Sequence, residues 1–118
     1  MALKLDLIIL FGSQVSGGAG ALSDFDVAVS TDHELTLVEK NEVIELVARD
    51  FGYHEDKIDL IDIAVAPPLL QMQIATHGKL LRGDPELFLR FKVLAWKRYQ
   101  NTARFRRART KHLEKIYG

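Results

Sequence analysis

Leu3-Lys4-Leu5-Asp6-Leu7-Ile8-Ile9-Leu10-Phe11-Gly12-Ser13, a connection from Gln14 to Ser23, and then Asp24-Phe25-Asp26-Val27-Ala28-Val29-Ser30 form the most informative stretch of the chain. Leu3 to Phe11 is short and rich in Leu and Ile, which predicts a strand ending at Gly12. Phe25 to Ser30 alternates like a second strand. Gly17, Gly18 and Gly20 make the connection flexible or tightly turned. Residues i and i+2 of a strand share a face, so Asp24 and Asp26 are expected to project side by side. Adjacent carboxylates repel, and the arrangement is costly unless a cation sits between them. A hard divalent cation such as Mg2+ takes oxygen ligands and often keeps waters and substrate phosphates as the rest. Gly12-Ser13, following a buried strand, offers backbone N–H groups and a hydroxyl to a phosphate. A phosphate-gripping turn beside a metal-binding carboxylate pair is the equipment of phosphoryl or nucleotidyl transfer.

Outward from this stretch, Leu37, Ile44, Val47, Ala48 and Phe51 form one helical stripe between about residues 35 and 51, with Gly52 as the stop. Tyr53 and His54 read as surface loop residues. Ile58 to Val65 reads as a third strand. Pro67-Pro68 opens a helix that Gly78 ends. Lys79 to Arg82 reads as a short edge strand. Asp84 caps a long final helix with Pro85 at its first position, running to about residue 116. Leu87, Phe91, Leu94, Ala95, Trp96 and Tyr99 are its expected apolar side. The order of elements predicts a single α/β unit, a small sheet with helices on its flank. Two further carboxylates, Asp59 and Asp62, sit in the third strand. They are three apart and point to opposite faces, so only one can join Asp24 and Asp26.

Composition narrows the chemistry. The chain has 118 residues, 47% of them apolar, and no cysteine, which excludes disulfides and thiolate chemistry. His33, His54, His77 and His112 are far apart and make no ligand pair. No apolar run approaches the ~20 residues that span a bilayer, and the N-terminus lacks signal-peptide features, so a soluble cytoplasmic protein is expected. The zero net charge hides an asymmetry. Residues 1–84 carry six Lys/Arg and fourteen Asp/Glu, whereas residues 85–118 carry ten Lys/Arg against Glu86 and Glu114. The run from Arg104 to Lys111 is suited to an acidic partner or to nucleic acid. Aromatic interleaving there is sparse, and nothing resembles a sequence-reading motif, so direct nucleic-acid binding is the lesser expectation.

Gly12-Ser13, ten residues, and Asp24-x-Asp26 resemble the signature of the DNA-polymerase-beta-like nucleotidyltransferase superfamily. The strand before Gly12, Gly17 and Ala19 in the connection, and Ser23 before the first Asp extend the likeness. The chain is too short for a polymerase with extra substrate domains. Asp59-Leu60-Ile61-Asp62-Ile63, Ala66-Pro67-Pro68-Leu69-Leu70, Gly78-Lys79-Leu80-Leu81 and Asp84-Pro85-Glu86 resemble the minimal nucleotidyltransferase (MntA-type) antitoxins of HEPN/MNT pairs. The resemblance implies a small mixed sheet flanked by helices, with residues 1–84 as catalytic core and 85–118 as a basic C-terminal helix. It implies Asp24, Asp26 and Asp59 as catalytic residues and ligands of two Mg2+ ions, with Asp59 rather than Asp62 as the third carboxylate. It implies Gly12, Ser13 and Ser23 at the nucleotide phosphates, and ATP as substrate. It further implies transfer of AMP to a tyrosine of a HEPN ribonuclease toxin, or neutralisation of that toxin by direct occlusion. Where relatives often carry Arg or Lys, this chain has Gln14 and Ser16.

Overall fold

The computed structural model describes residues 3–12 and 24–117, with side chains as far as residue 103. Strands β1 (Leu5–Phe11), β2 (Phe25–Thr31), β3 (Ile58–Asp62) and β4 (Lys79–Gly83) form one mixed sheet in the order β3-β2-β1-β4. β1 pairs antiparallel with β2 and with β4, and β2 pairs parallel with β3. A parallel pair needs a crossover, which helix α1 (Leu37–Phe51) supplies. Helix α2 (Pro68–His77) precedes β4, and α3 (Pro85–Tyr117) follows it.

The sheet is covered on both faces. Leu7, Ile9, Phe11 and Ala28 pack with Ile63, with Ile74 of α2 and with Phe88 of α3. Ile8, Leu10, Val27 and Val29 pack with Leu35 and with Val43 and Val47 of α1. This is why β1 reads as a solid apolar run rather than an alternating one: both parities of its side chains are buried. In β4 the register shifts between its partners Ile8 and Ile9, leaving Leu81 as an extra residue that packs with the α1 cluster. Arg82 lies over the Phe51 ring and reaches Asp50 at 2.9 Å, joining the edge strand to the end of α1.

Local signals place the ends of the helices. Thr36 and Glu39 form a capping box at the start of α1, and Gly52, with φ of 74°, closes it in the left-handed conformation. Asp84 accepts from the N–H of Glu86 at the start of α3. Two expectations need correction. The third strand stops at Asp62 instead of Val65, because the Asp62 carboxylate caps the Ala64 N–H and turns the chain into a 3-10 turn over Ile63–Val65. The inner side of α3 carries Phe88, Phe91 and Ala95; Leu87, Leu94 and Trp96 point outward, since at 100° per residue they lie off the Phe88–Ala95 stripe.

His33 sits ahead of α1 between two carboxylates, Nδ1 2.6 Å from Asp32 and Nε2 2.8 Å from Glu39. The hydrogen bond with Asp32, then that with Glu39, raises its pKa above 6.5. A raised imidazole pKa contributes stability that is complete below the unfolded value and is lost as pH rises through the folded one. In thermal unfolding, wild type is therefore expected to exceed His33→Gln by most just below pH ~6.5, and the gap narrows at higher pH. It also closes at low pH, where Asp32 and Glu39 take up protons.

Candidate functional site

Pairing across the sheet brings the sequence-predicted carboxylates to one end of it. Phe11 stands opposite Asp26 across β1 and β2, and Asp26 stands opposite Asp59 across the parallel pair β2 and β3. Asp26 has the parity of Ala28, and Asp59 that of Ile61. Both belong to the face covered by α2 and α3. Asp24 lies immediately before β2 and is exposed, as is Asp59, while Asp26 is half-buried.

Ionisation of Asp26 beside Asp59 is costly. Burial raises the pKa of Asp26 first; the charge of Asp59, a hydrogen bond between the two side chains and the charge of Asp24 raise it further. Among the described residues, no cationic group opposes these causes. An all-oxygen set of this kind fits a hard divalent cation. Among the described residues, no group of three or more His, Asp or Glu side chains is placed to hold a metal ion; Asp26 and Asp59 share a hydrogen bond, and the charge of Asp24 acts on Asp26.

Gly12 is built against this pair. Its φ of 84° is one that side-chain-bearing residues rarely adopt, and a Cβ there would lie 2.2 Å from Asp26 Oδ2. Any larger residue would displace the carboxylate. Ser13 and Ser23, with Gln14 and Ser16 between them, lie outside the described residues.

Asp62 takes a different part. It is buried, and its carboxylate accepts from the N–H groups of Leu35, at 2.8 Å, and Ala64, at 3.0 Å. Its parity puts it on the α1 face, away from Asp26 and Asp59. Two residues that support the site were not read as such from the sequence. Tyr53, expected in a surface loop, stacks on Phe25 with ring centroids 4.0 Å apart and also meets Phe51. Phe25 lies between Asp24 and Asp26, so this stack holds the backbone that carries both carboxylates. Buried Gln71 donates to the carbonyls of Ile63 and Ala66 and accepts from Arg98 of α3 at 3.0 Å. The signal for this node in the sequence is an amide set between Leu70 and Met72 in a short helix. His54, by contrast, is exposed and caps the 3-10 turn over Glu55–Lys57.

Comparison with known proteins gives the family. Residues 2–86 match the family described as "Polymerase beta, Nucleotidyltransferase". Over 88 residues the chain is 36% identical to the protein adenylyltransferase MntA of Shewanella oneidensis, a match covering 72% of this chain and 61% of that protein. It is 31% identical over 88 residues to the protein adenylyltransferase MntA of Aphanizomenon flos-aquae, covering 69% and 59%. The chain thus spans about three fifths of the length of these curated relatives. Among solved structures, one of a toxin-antitoxin with AMP-PNP superposes with a TM-score of 0.77 at 30% identity, covering 96% of this chain and 89% of the other. A tri-AMPylated Shewanella oneidensis HEPN toxin in complex with MNT antitoxin gives 0.69 at 29% identity, covering 94% and 84%. Among the described residues no helix is long and apolar enough to cross a membrane.

The raised pKa of Asp26 has a consequence for the metal-free chain. Such a group contributes stability that is present below its unfolded value and is lost as pH rises through its folded value. In chelator at neutral pH, Asp59→Asn is expected to unfold at a higher temperature than wild type, and its Asp26 titrates closer to 3.8 by NMR. Asp62→Ala behaves oppositely: two buried N–H groups lose a charged acceptor, and unfolding free energy falls by roughly 2–4 kcal/mol in denaturant titration.

Proposed function

The chain belongs to the polymerase beta nucleotidyltransferase family, and we propose that it is an antitoxin that transfers AMP from ATP to a tyrosine of a partner HEPN ribonuclease toxin and thereby neutralises it. The observation that carries this reading is the Asp26–Asp59 pair, held in register with Gly12 against it and Asp24 at its entrance. The likeness to the adenylyltransferases MntA, and to toxin-antitoxin complexes with AMP-PNP or an AMPylated HEPN toxin, supports the substrate and the partner.

Asp24 and Asp26 would hold two Mg2+ ions, and Asp59 would share one of them. Bound Mg2+ would neutralise the α-phosphate and the departing pyrophosphate. Gly12 leaves room for the Asp26 carboxylate, and Gly12, Ser13 and Ser23 are assigned to donate to the phosphate oxygens of the triphosphate. The tyrosine oxygen forms a bond to the α-phosphorus as the bond from that phosphorus to the bridging oxygen breaks and pyrophosphate leaves. Asp59 is exposed and so can meet an incoming hydroxyl; it is assigned to accept the tyrosine proton as general base. Asp26, half-buried, binds and orients.

A second reading, neutralisation by occlusion alone, draws on Gln14 and Ser16, which supply no positive charge to a triphosphate. The two readings part on one measurement. With labelled ATP, Mg2+ and the HEPN toxin, wild type is expected to add AMP to the toxin. Asp24→Asn, Asp26→Asn and Gly12→Ala each lower that rate at least ~100-fold, in the range seen when a group stabilising transition-state charge is lost. Asp62→Asn keeps labelling in whatever fraction stays folded. Full labelling by Asp26→Asn overturns the catalytic assignment, and neutralisation without labelling by wild type selects occlusion.

A further inference from the structure

Leu87-Phe88-Leu89-Arg90-Phe91-Lys92-Val93-Leu94-Ala95-Trp96 sets apolar side chains around the whole circumference of α3. A helix that is hydrophobic all round is buried all round. One side of α3 is covered: Phe88 and Phe91 join the sheet cluster, and Ala95 is fully buried. The opposite side is not. Leu89 is 59% exposed, Trp96 52%, Val93 48% and Leu94 45%, and Leu89, Val93 and Leu94 line an open groove with Arg90 and Lys97.

The charges on this groove select its occupant. Among the described residues, Arg90 and Lys97 are the charged residues lining it, and Glu86 lies 3.7 Å from Arg90 in the first turn of the helix. A second copy laid across the same face would bring Arg90 and Lys97 against their own counterparts, and like charges in an interface oppose association. The complement is a different protein, with an apolar surface rimmed by carboxylates. α3 also extends well past the sheet. Its 33 residues rise roughly 50 Å at 1.5 Å each, and the radius of gyration of 16.8 Å exceeds the ~13–14 Å of a compact chain this size.

We propose that the outer face of α3, from Leu89 to Lys97, is the docking surface for the HEPN partner, which meets it with an apolar patch bordered by Asp and Glu. This rests on the function proposed above. Affinity comes from Leu89, Val93 and Trp96 leaving water, and Arg90 and Lys97 set the encounter rate.

The test measures binding of the full chain to its HEPN toxin by calorimetry and by association kinetics. Trp96→Ala and Val93→Glu are each expected to weaken binding about tenfold or more, as central apolar anchors do. Val38→Glu, at a position on α1 that is 67% exposed, leaves it unchanged. The double variant Arg90→Glu/Lys97→Glu slows association at low salt, and the difference shrinks as salt screens the charges. Circular dichroism and AMP-PNP binding stay as in wild type for all of these, which separates lost docking from lost folding. Wild-type binding matched by Trp96→Ala and Val93→Glu overturns the docking surface and leaves the proposed function standing. Failure of wild type itself to bind or label the toxin overturns both. Self-association that Val93→Glu abolishes also overturns the proposal, because the occupant is then a second copy.

Discussion

Two carboxylates brought side by side are the constraint around which this molecule is built. Asp26 and Asp59 face each other because β2 and β3 run parallel in a register that pairs them residue for residue. Repulsion between them works against folding, so the register must be imposed by something stronger. The apolar side chains of the same strands impose it. Val27 and Val29 are sealed against α1, and Ala28 against the opposite layer. A one-residue slip would turn both sets to the wrong faces. The core thus carries the electrostatic cost of the site.

Around that pair the supports are local and directional. Gly12 sits where a side chain would strike Asp26, so this glycine and the carboxylate fit only together. The Phe25–Tyr53 stack secures the backbone between Asp24 and Asp26. Asp62, three residues beyond Asp59, ends β3 by capping the turn that follows and by receiving the N–H of Leu35. Gln71 ties that turn to α2 and, through Arg98, to α3. A continuous set of hydrogen bonds therefore joins the strand that carries Asp59 to the helix proposed to receive the partner. On the proposed function, α3 both covers the sheet and presents a second apolar side to the partner.

The reading of the chain from its residues alone was accurate where a pattern is local. The element order, the Gly52 and Gly78 stops, the Asp84 cap and the edge position of β4 all follow from periodicity and turn chemistry. Parity also required Asp59 and Asp62 to point to opposite faces, since residues three apart in a strand must part, but it left open which of them meets Asp26. The chain determined by itself which residues form strands and helices, and that Asp24 and Asp26 lie at a strand entrance after a glycine turn, because backbone preferences and side-chain periods act over a few residues. Tertiary structure alone decided the rest. It set which strand lies beside β2, and hence which acid meets Asp26. It turned Tyr53 inward onto Phe25, made Gln71 a buried junction, and turned Trp96 and Leu94 outward. A helix apolar on every side gives no internal sign of which side faces the sheet; that depends on the layer it packs against, and packing is a property of distant segments brought together.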